Sequence, residues 1–457
     1  MKVLCINSPL FREINSLYDE DSLPPIGLGL IATNLRNNGI SVELIDAIAE
    51  RIPLNDLIGL LDAARPKFVL VNIFTTNYSL VKEMIESLKF ECHIIIGGLS
   101  TRELYKEIVK WETFNQIDIV FGDGELITLD IVNEQIFEEP VFSAPHRRVF
   151  KAEGNSKYFV KDISKVSLDR SFFTNEPVIH PLGFTEANIV TSRGCIYNCA
   201  FCAAARSLNS DYFVRERTEE SVVEELKQII AQYPEVNSIR VLDDLFLKTK
   251  FTVQKAIDVF SKFNFQWRSM AHVMTFDQVD ENTMNRLKES GCHELFIGIE
   301  SGSPGILRSI HKTSNIDKIL TNLTKVLKAG INIKGYFIYG FPNETQSDMD
   351  LTFKLANDLK NISLEYGSNF RTSVFQYRPY HGTEIYYDLL EAGKTIETEN
   401  VKPNEALSHL VGRLQFNFHN GNYSEVAIEL IHDYIYRTIN LNGGEIFAQL
   451  KQYIKPT

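Results

Sequence analysis

The sequence predicts an α/β chain built from two successive β/α series. An N-terminal flavodoxin-type, doubly wound domain comes first, then a partial (β/α)6 barrel of TIM type, then a helical C-terminal region. Three observations carry this. Residues 1–135 alternate short Val/Ile-rich runs with helix-length stretches, the pattern of buried parallel strands covered on both faces. Residues 136–186 lose that rhythm under Pro140, Pro145, Gly154, Pro177, Pro181 and Gly183, and read as a connector with an added strand or two. From Ala187 the alternation resumes and runs to residue 394, too short for eight repeats and long enough for six. Residues 395–457 read as mostly helical.

Each element has a local reason. In the first series, strands are expected over 2–7, 41–45, 68–74, 93–96 and 117–121, with a helix opening after Pro24-Pro25 and stopping at Gly39. In the second, strands are expected over 188–191, 238–242, 266–272, 294–299, 332–339 and 372–377. Val222, Val223, Leu226, Ile229 and Ile230 form a helical stripe capped by Thr218, with Glu219 and Glu220 in its first turn. Ile316, Ile319, Leu320, Leu323, Val326 and Leu327 form another, closed by Gly330.

Composition narrows the function. The 457 residues are 44% hydrophobic and 23% charged, an ordinary globular balance that excludes a disordered or low-complexity chain. A net charge of −12 argues against nucleic acid as the main partner. No run reaches the roughly 18 apolar residues of a membrane span, and the apolar start before Pro9 is too short for a secretory signal. The expectation is a cytoplasmic protein with neither a membrane nor a nucleic-acid partner.

Six cysteines are too few for a disulfide framework, but three of them, Cys195, Cys199 and Cys202, fall within eight residues. The segment Arg193-Gly194-Cys195-Ile196-Tyr197-Asn198-Cys199-Ala200-Phe201-Cys202 follows the first strand of the second series, at the strand end where such barrels place chemistry. Three thiolates at this spacing suit a soft metal. A closed zinc site would need a remote fourth ligand, since no histidine lies between His180 and His272. A four-iron cluster held by three cysteines leaves one iron open to a substrate or cofactor. Cys5, Cys92 and Cys292 read as small apolar packing groups. Arg268 and His272 on the third strand read equally as a structural polar pair or as substrate contacts.

The C-x3-C-x-Φ-C pattern, with Phe201 in the aromatic place, resembles the radical S-adenosylmethionine superfamily. Four later segments agree in order: Val241-Leu242-Asp243-Asp244-Leu245-Phe246, Gly298-Ile299-Glu300-Ser301-Gly302-Ser303, Gly335-Tyr336-Phe337-Ile338-Tyr339-Gly340-Phe341-Pro342-Asn343-Glu344 and Tyr377-Arg378-Pro379-Tyr380-His381-Gly382-Thr383. The resemblance implies a [4Fe–4S] cluster on Cys195, Cys199 and Cys202 whose free iron chelates S-adenosylmethionine and yields a 5′-deoxyadenosyl radical. It implies that Asp243 and Asp244 hold the methionine amino group, that Glu300 or Ser301 holds the ribose or carboxylate, that Ile338 packs on adenine, and that Gly340 lets the backbone approach. A small-molecule substrate and a reducing electron donor such as flavodoxin or ferredoxin are implied as partners.

The first series resembles the cobalamin-binding domain that precedes the radical module in one subfamily. Asn7-Ser8-Pro9, Phe74-Thr75-Thr76, Ile96-Gly97-Gly98 and Phe121-Gly122-Asp123-Gly124-Glu125 fall at its strand ends, so Ser8, Thr75, Thr76, Gly97, Gly98, Gly122, Gly124 and Glu125 are the candidate corrinoid contacts. The long loop 8–23 is expected to have a working role. The Asp-x-His-x-x-Gly loop of many cobalamin-binding domains is missing, as no histidine precedes His93; members of the radical subfamily commonly lack it too. The reading is therefore a cobalamin-dependent radical enzyme that methylates an unactivated carbon of a small-molecule biosynthetic intermediate. The alternatives are a non-methylating radical reaction (dehydration, rearrangement, epimerisation or ring formation) with a vestigial first domain, a cluster-bearing sensor or electron carrier, and a zinc-stabilised binding module.

Overall fold

The first run of buried apolar residues, β1 (Lys2–Asn7), lies at the centre of a seven-stranded sheet. With it are β2 (Ser41–Asp46), β3 (Phe68–Asn72), β4 (His93–Gly97), β5 (Gln116–Gly122), β6 (Phe142–Ala144) and β7 (Arg147–Ala152), in the order β2-β1-β3-β4-β5-β7-β6. All are parallel except β6, which returns antiparallel on β7. A computed structural model describes residues 2–9, 23–179, 183–396 and 421–443. Separate apolar cores cover the two faces of this sheet. The helix after Pro24-Pro25, Ile26–Asn37, is followed by Gly39 at φ +78°, the left-handed position that stops it.

The stretch read as a connector does more than connect. Strands β6 and β7 complete the first sheet, and β8 (Val178–Ile179) is an antiparallel edge on the second. The hairpin was hard to read because β7 opens on two arginines. Arg147 is buried there, donating to the carbonyls of Asn115, Trp111 and Thr113, so a charge satisfied in place stands where apolar periodicity was sought.

The second sheet contains β9 (Thr185–Ile189), β12 (Ser238–Val241), β13 (Gln266–Ala271), β14 (Cys292–Glu300), β15 (Asn332–Tyr339) and β16 (Phe370–Gln376), all parallel and in chain order, the open six-stranded barrel that the repeats predict. Between β9 and β12, β10 (Ser192–Arg193) pairs antiparallel with β11 (Arg215–Glu216) and pinches off residues 194–214, which carry the cysteines. Thr218 caps the next helix by accepting from Ser221 N, as its position predicts. The described part of the C-terminal region is the helix Ile428–Asn440, packed on β15 and β16. The helical expectations for 397–420 and 444–457, and most of the loop 8–23, lie outside the described residues. No helix among the described residues is long and apolar enough to cross a membrane.

Candidate active site

The cysteine loop is fixed from several sides. Asp243, at the end of β12, is buried and accepts from Thr191 N, Thr191 Oγ1 and Ser192 Oγ, each at 2.6 Å. Asp244 accepts from Gly194 N at 3.0 Å. Tyr197 stacks on His272 with ring centroids 3.8 Å apart. Ala200 donates its backbone N–H to Ile310 O and accepts at its carbonyl from Ile385 N. Asn198 O meets His311 Nδ1 at 3.0 Å.

The three thiols are half-buried and electrostatically linked: charge on Cys195 opposes ionisation of Cys199, and both oppose ionisation of Cys202. Burial pushes all three up, Cys202 to about 12, and the Lys312 ammonium beside Cys195 and Cys199 pulls the other way. Clustered thiols that resist ionisation alone suit a cationic group that binds them as thiolates. Among the described residues no three His, Cys, Asp or Glu side chains gather as they would on one metal ion. Three thiols on one loop at the barrel mouth are the soft donor set that an iron–sulfur cluster takes.

Around this loop the strand ends supply distinct groups. Asp244 sits in a recess crowded by protein yet open to solvent, and that crowding pushes its carboxyl up. Glu300 closes β14 at φ +68° after a register shift in the strand, and its Oε1 accepts from Lys312 Nζ at 2.9 Å. Lys312 is buried and also donates to Gly298 O at 2.7 Å. Phe201, edge-on to Phe341 at 5.7 Å, shares a cavity of about 150 Å3 with Ile338, Phe375 and Tyr380.

Some expected contacts turn out differently. Ser301 is fully buried, bonded to Thr352 Oγ1 and accepting from Ser303 N, so it cannot reach a ligand. Asp243 is likewise spent on the loop backbone and hydroxyls; Asp244 is the carboxylate left open. A side chain at Gly340 would meet Ile431 of the C-terminal helix at 3.2 Å, so this glycine clears a helix rather than a base. Arg268 is wholly buried on Glu186 and Glu294, a structural group, while His272 serves the cysteine loop through Tyr197. Cys5, Cys92 and Cys292 are buried, as expected of packing groups.

In the first domain, a cavity of roughly 420 Å3 runs between the helix Ile26–Asn37 and the carboxyl ends of β3, β4 and β5. Gly97, Gly98, Gly122, Gly124 and Glu125 line it. Gly98 (φ +116°) lies so close to Ile73 that a Cβ would come within 2.6 Å of its carbonyl oxygen. Phe74 and Leu99 stand exposed at the same edge, an apolar rim of the kind a flat hydrophobic cofactor covers. Ser8 and Thr76 are buried, Ser8 accepting from Asn77 Nδ2, and Thr75 reaches across to His381 Nδ1 at 3.2 Å. Glu125 is not free for a corrinoid, because Arg193 holds it; Arg193 also donates to Asp123 at 2.7 Å, which accepts from Arg215 at 2.5 Å and Tyr212 at 3.0 Å.

Lys312, Arg193 and Asp123 were not singled out from sequence. Arg193 opens the cysteine segment and Asp123 lies inside the Gly-Asp-Gly-Glu turn, but nothing local indicates that the two meet across 70 residues.

The radical SAM superfamily profile matches residues 189–356, and the B12-binding domain profile matches residues 19–132. An uncharacterised methyltransferase of Pyrococcus horikoshii is 25% identical over 398 residues, covering 84% of this chain and 82% of that one. The radical S-adenosylmethionine methyltransferase TsrM from Kitasatospora setae, solved with cobalamin and a [4Fe–4S] cluster bound, superposes with TM-score 0.61 at 15% identity, covering 100% of this chain and 91% of that one. The cobalamin-dependent S-adenosylmethionine radical enzyme OxsB superposes with TM-score 0.59 at 15% identity over 92% of this chain, which spans 64% of that protein. With the thiol trio at the barrel mouth and the cavity-bearing sheet beside it, the chain carries a radical SAM domain over residues 189–356, of the kind whose cofactors are a [4Fe–4S] cluster and S-adenosylmethionine, preceded by a B12-binding domain over residues 19–132.

Proposed function

We propose that the chain is a cobalamin-dependent radical S-adenosylmethionine methyltransferase acting on an unactivated carbon of a small-molecule biosynthetic intermediate. When bound, the cluster supplies the electron that cleaves S-adenosylmethionine, and the corrinoid supplies the methyl group. Cys195, Cys199 and Cys202 hold the cluster. Asp244, with one oxygen on Gly194 N and its carboxylate open to solvent, takes the methionine ammonium. Glu300 and Lys312 form a charged pair able to bind the ribose hydroxyls and the carboxylate. Phe201 and Ile338 offer an apolar slot for the adenine. In the first domain, Gly97, Gly98, Gly122 and Gly124 would leave room for the nucleotide tail of a corrinoid, and Phe74 and Leu99 would offer it an apolar rim.

In this reading residues 1–135 and 187–394 carry the two activities, with 136–186 joining them and the C-terminal helix Ile428–Asn440 packing on β15 and β16. A cytoplasmic setting with flavodoxin or ferredoxin as reductant suits a cluster that must be kept reduced. The observation that carries the proposal is the linked thiol trio at the end of β9, facing a B12-type domain with an internal cavity. Oxygen-free protein reconstituted with iron, sulfide and hydroxocobalamin is expected to bind both groups and, on reduction with candidate substrates, to form S-adenosylhomocysteine and 5′-deoxyadenosine together. Formation of 5′-deoxyadenosine alone would instead favour non-methylating radical chemistry, and iron-free, colourless protein would remove both readings.

A further inference from the structure

We infer that the barrel lumen ends in a binding site for an oxyanion of the substrate, a carboxylate or phosphate, built on Arg240 and Asn188 with Lys334 beside them. The inference rests on the reading above, in which substrate enters the barrel from the cluster end.

Side chains two apart on a strand share a face. On β13–β16, Met270, Gly298, Tyr336, Ser373 and Phe375 are partly exposed, whereas the alternate positions between them are buried. An open lumen therefore runs down the middle of the sheet. Below, two carboxylates are matched to two guanidiniums: Glu186 accepts from Arg268 at 2.6 and 2.7 Å, and Glu294 accepts from Arg371 at 2.6 and 2.7 Å.

Above them, one guanidinium is left unmatched. The ring of Phe296 is approached by Arg240 at 4.9 Å and by Lys334 at 5.7 Å, and the Lys334 ammonium also helps hold the Glu294 carboxyl low. Arg240 is 5% exposed, and its Nε and Nη1 have no hydrogen-bond acceptor among the described residues. Asn188, its register partner on β9, is 1% exposed, and neither its amide nitrogen nor its oxygen has a partner among them. Leaving a buried guanidinium and a buried amide unpartnered side by side is costly, and stacking on Phe296 replaces none of the lost hydrogen bonds. An oxyanion on the lumen floor satisfies Arg240 by charge-assisted hydrogen bonds and takes one more from the Asn188 amide. Anchored there, the rest of the substrate extends up the lumen toward Glu300 and the cysteine loop.

The test is thermal denaturation of the cluster-loaded full chain in matched ionic strength, with inorganic phosphate, acetate or chloride as probe. Phosphate or acetate is expected to raise the Tm of the wild type by a few degrees over chloride, and the effective anion tells which class the substrate carries. Arg240→Met is expected to abolish that response and to raise the Tm of the anion-free protein, because it removes an unpaired buried charge. Asn188→Ala is expected to weaken the response. An anion effect that survives in Arg240→Met, a wild type indifferent to both anions, or an Arg240→Met protein destabilised without them would overturn the inference. Reductive cleavage of S-adenosylmethionine by the wild type, measured alongside, separates failure of this site from failure of the radical assignment.

Discussion

Glu300 holds its backbone at φ +68°, where a residue with a Cβ is strained on the order of 1–2 kcal/mol. The strain aims its carboxylate back over Gly298, onto Lys312. A Cβ at Gly298 would land on Glu300 Oε1 and within 2.9 Å of Lys312 Nζ, so this glycine is required by the site and not by the strand. Gly298→Ala is expected to displace both groups and weaken S-adenosylmethionine binding about tenfold, roughly 1.4 kcal/mol, with iron content unchanged. Equilibrium binding beside iron analysis checks it. The glutamate was legible in sequence as a polar residue ending an apolar strand. Lys312 was not, because its role depends on a turn that folds it back across twelve residues.

At the scale of the element, strand ends do the positioning. After β15, Glu344 is fully buried and accepts from Gly340 N at 2.5 Å and Phe341 N at 3.1 Å, tying the turn that leads to the helix Gln346–Glu365. Burial lifts its carboxyl from 4.5 to about 8 despite those donors. A folded-state value above the unfolded one means that its contribution is fully present below about 4.5 and declines as pH rises, being lost as pH passes about 8. Glu344→Gln keeps the shape and the acceptor without the titration, so its stability is expected to fall less than the wild type's over that window, by up to ~1.4 kcal/mol per pH unit. Chemical denaturation at a series of pH values reads this directly. One boundary was misjudged at a buried polar residue: β9 begins at Thr185, before its expected start at 188, because Glu186 is drawn inside by Arg268.

For the whole molecule the decisive contact is Asp123. This buried carboxylate at the end of β5 gathers Arg193, Arg215 and Tyr212 from the cysteine-bearing segment, so the B12-type domain and the cluster loop share one ionic centre. Breaking such a buried centre leaves charges without partners and typically costs about 3–5 kcal/mol. Asp123→Asn is accordingly expected to lower the Tm by several degrees and to open residues 153–177, between β7 and β8, to proteolysis before either sheet unfolds. Unchanged Tm and protease resistance would show that other contacts hold the domains.

The sequence by itself determined the two β/α series, the order of their strands and the thiol cluster at the mouth of the second. Period, turn residues and cysteine spacing are local, and a parallel sheet turns local order into spatial order. Only the tertiary structure decided which side chains at those strand ends remain open. It buried Ser301 against Thr352, spent Asp243 on the loop and Glu125 on Arg193, left Asp244 open to solvent, and left polar atoms of Arg240 and Asn188 without hydrogen-bond partners among the described residues. The physical reason is that a polar group is defined by its partner, and here the partners lie 51 to 68 residues away in sequence.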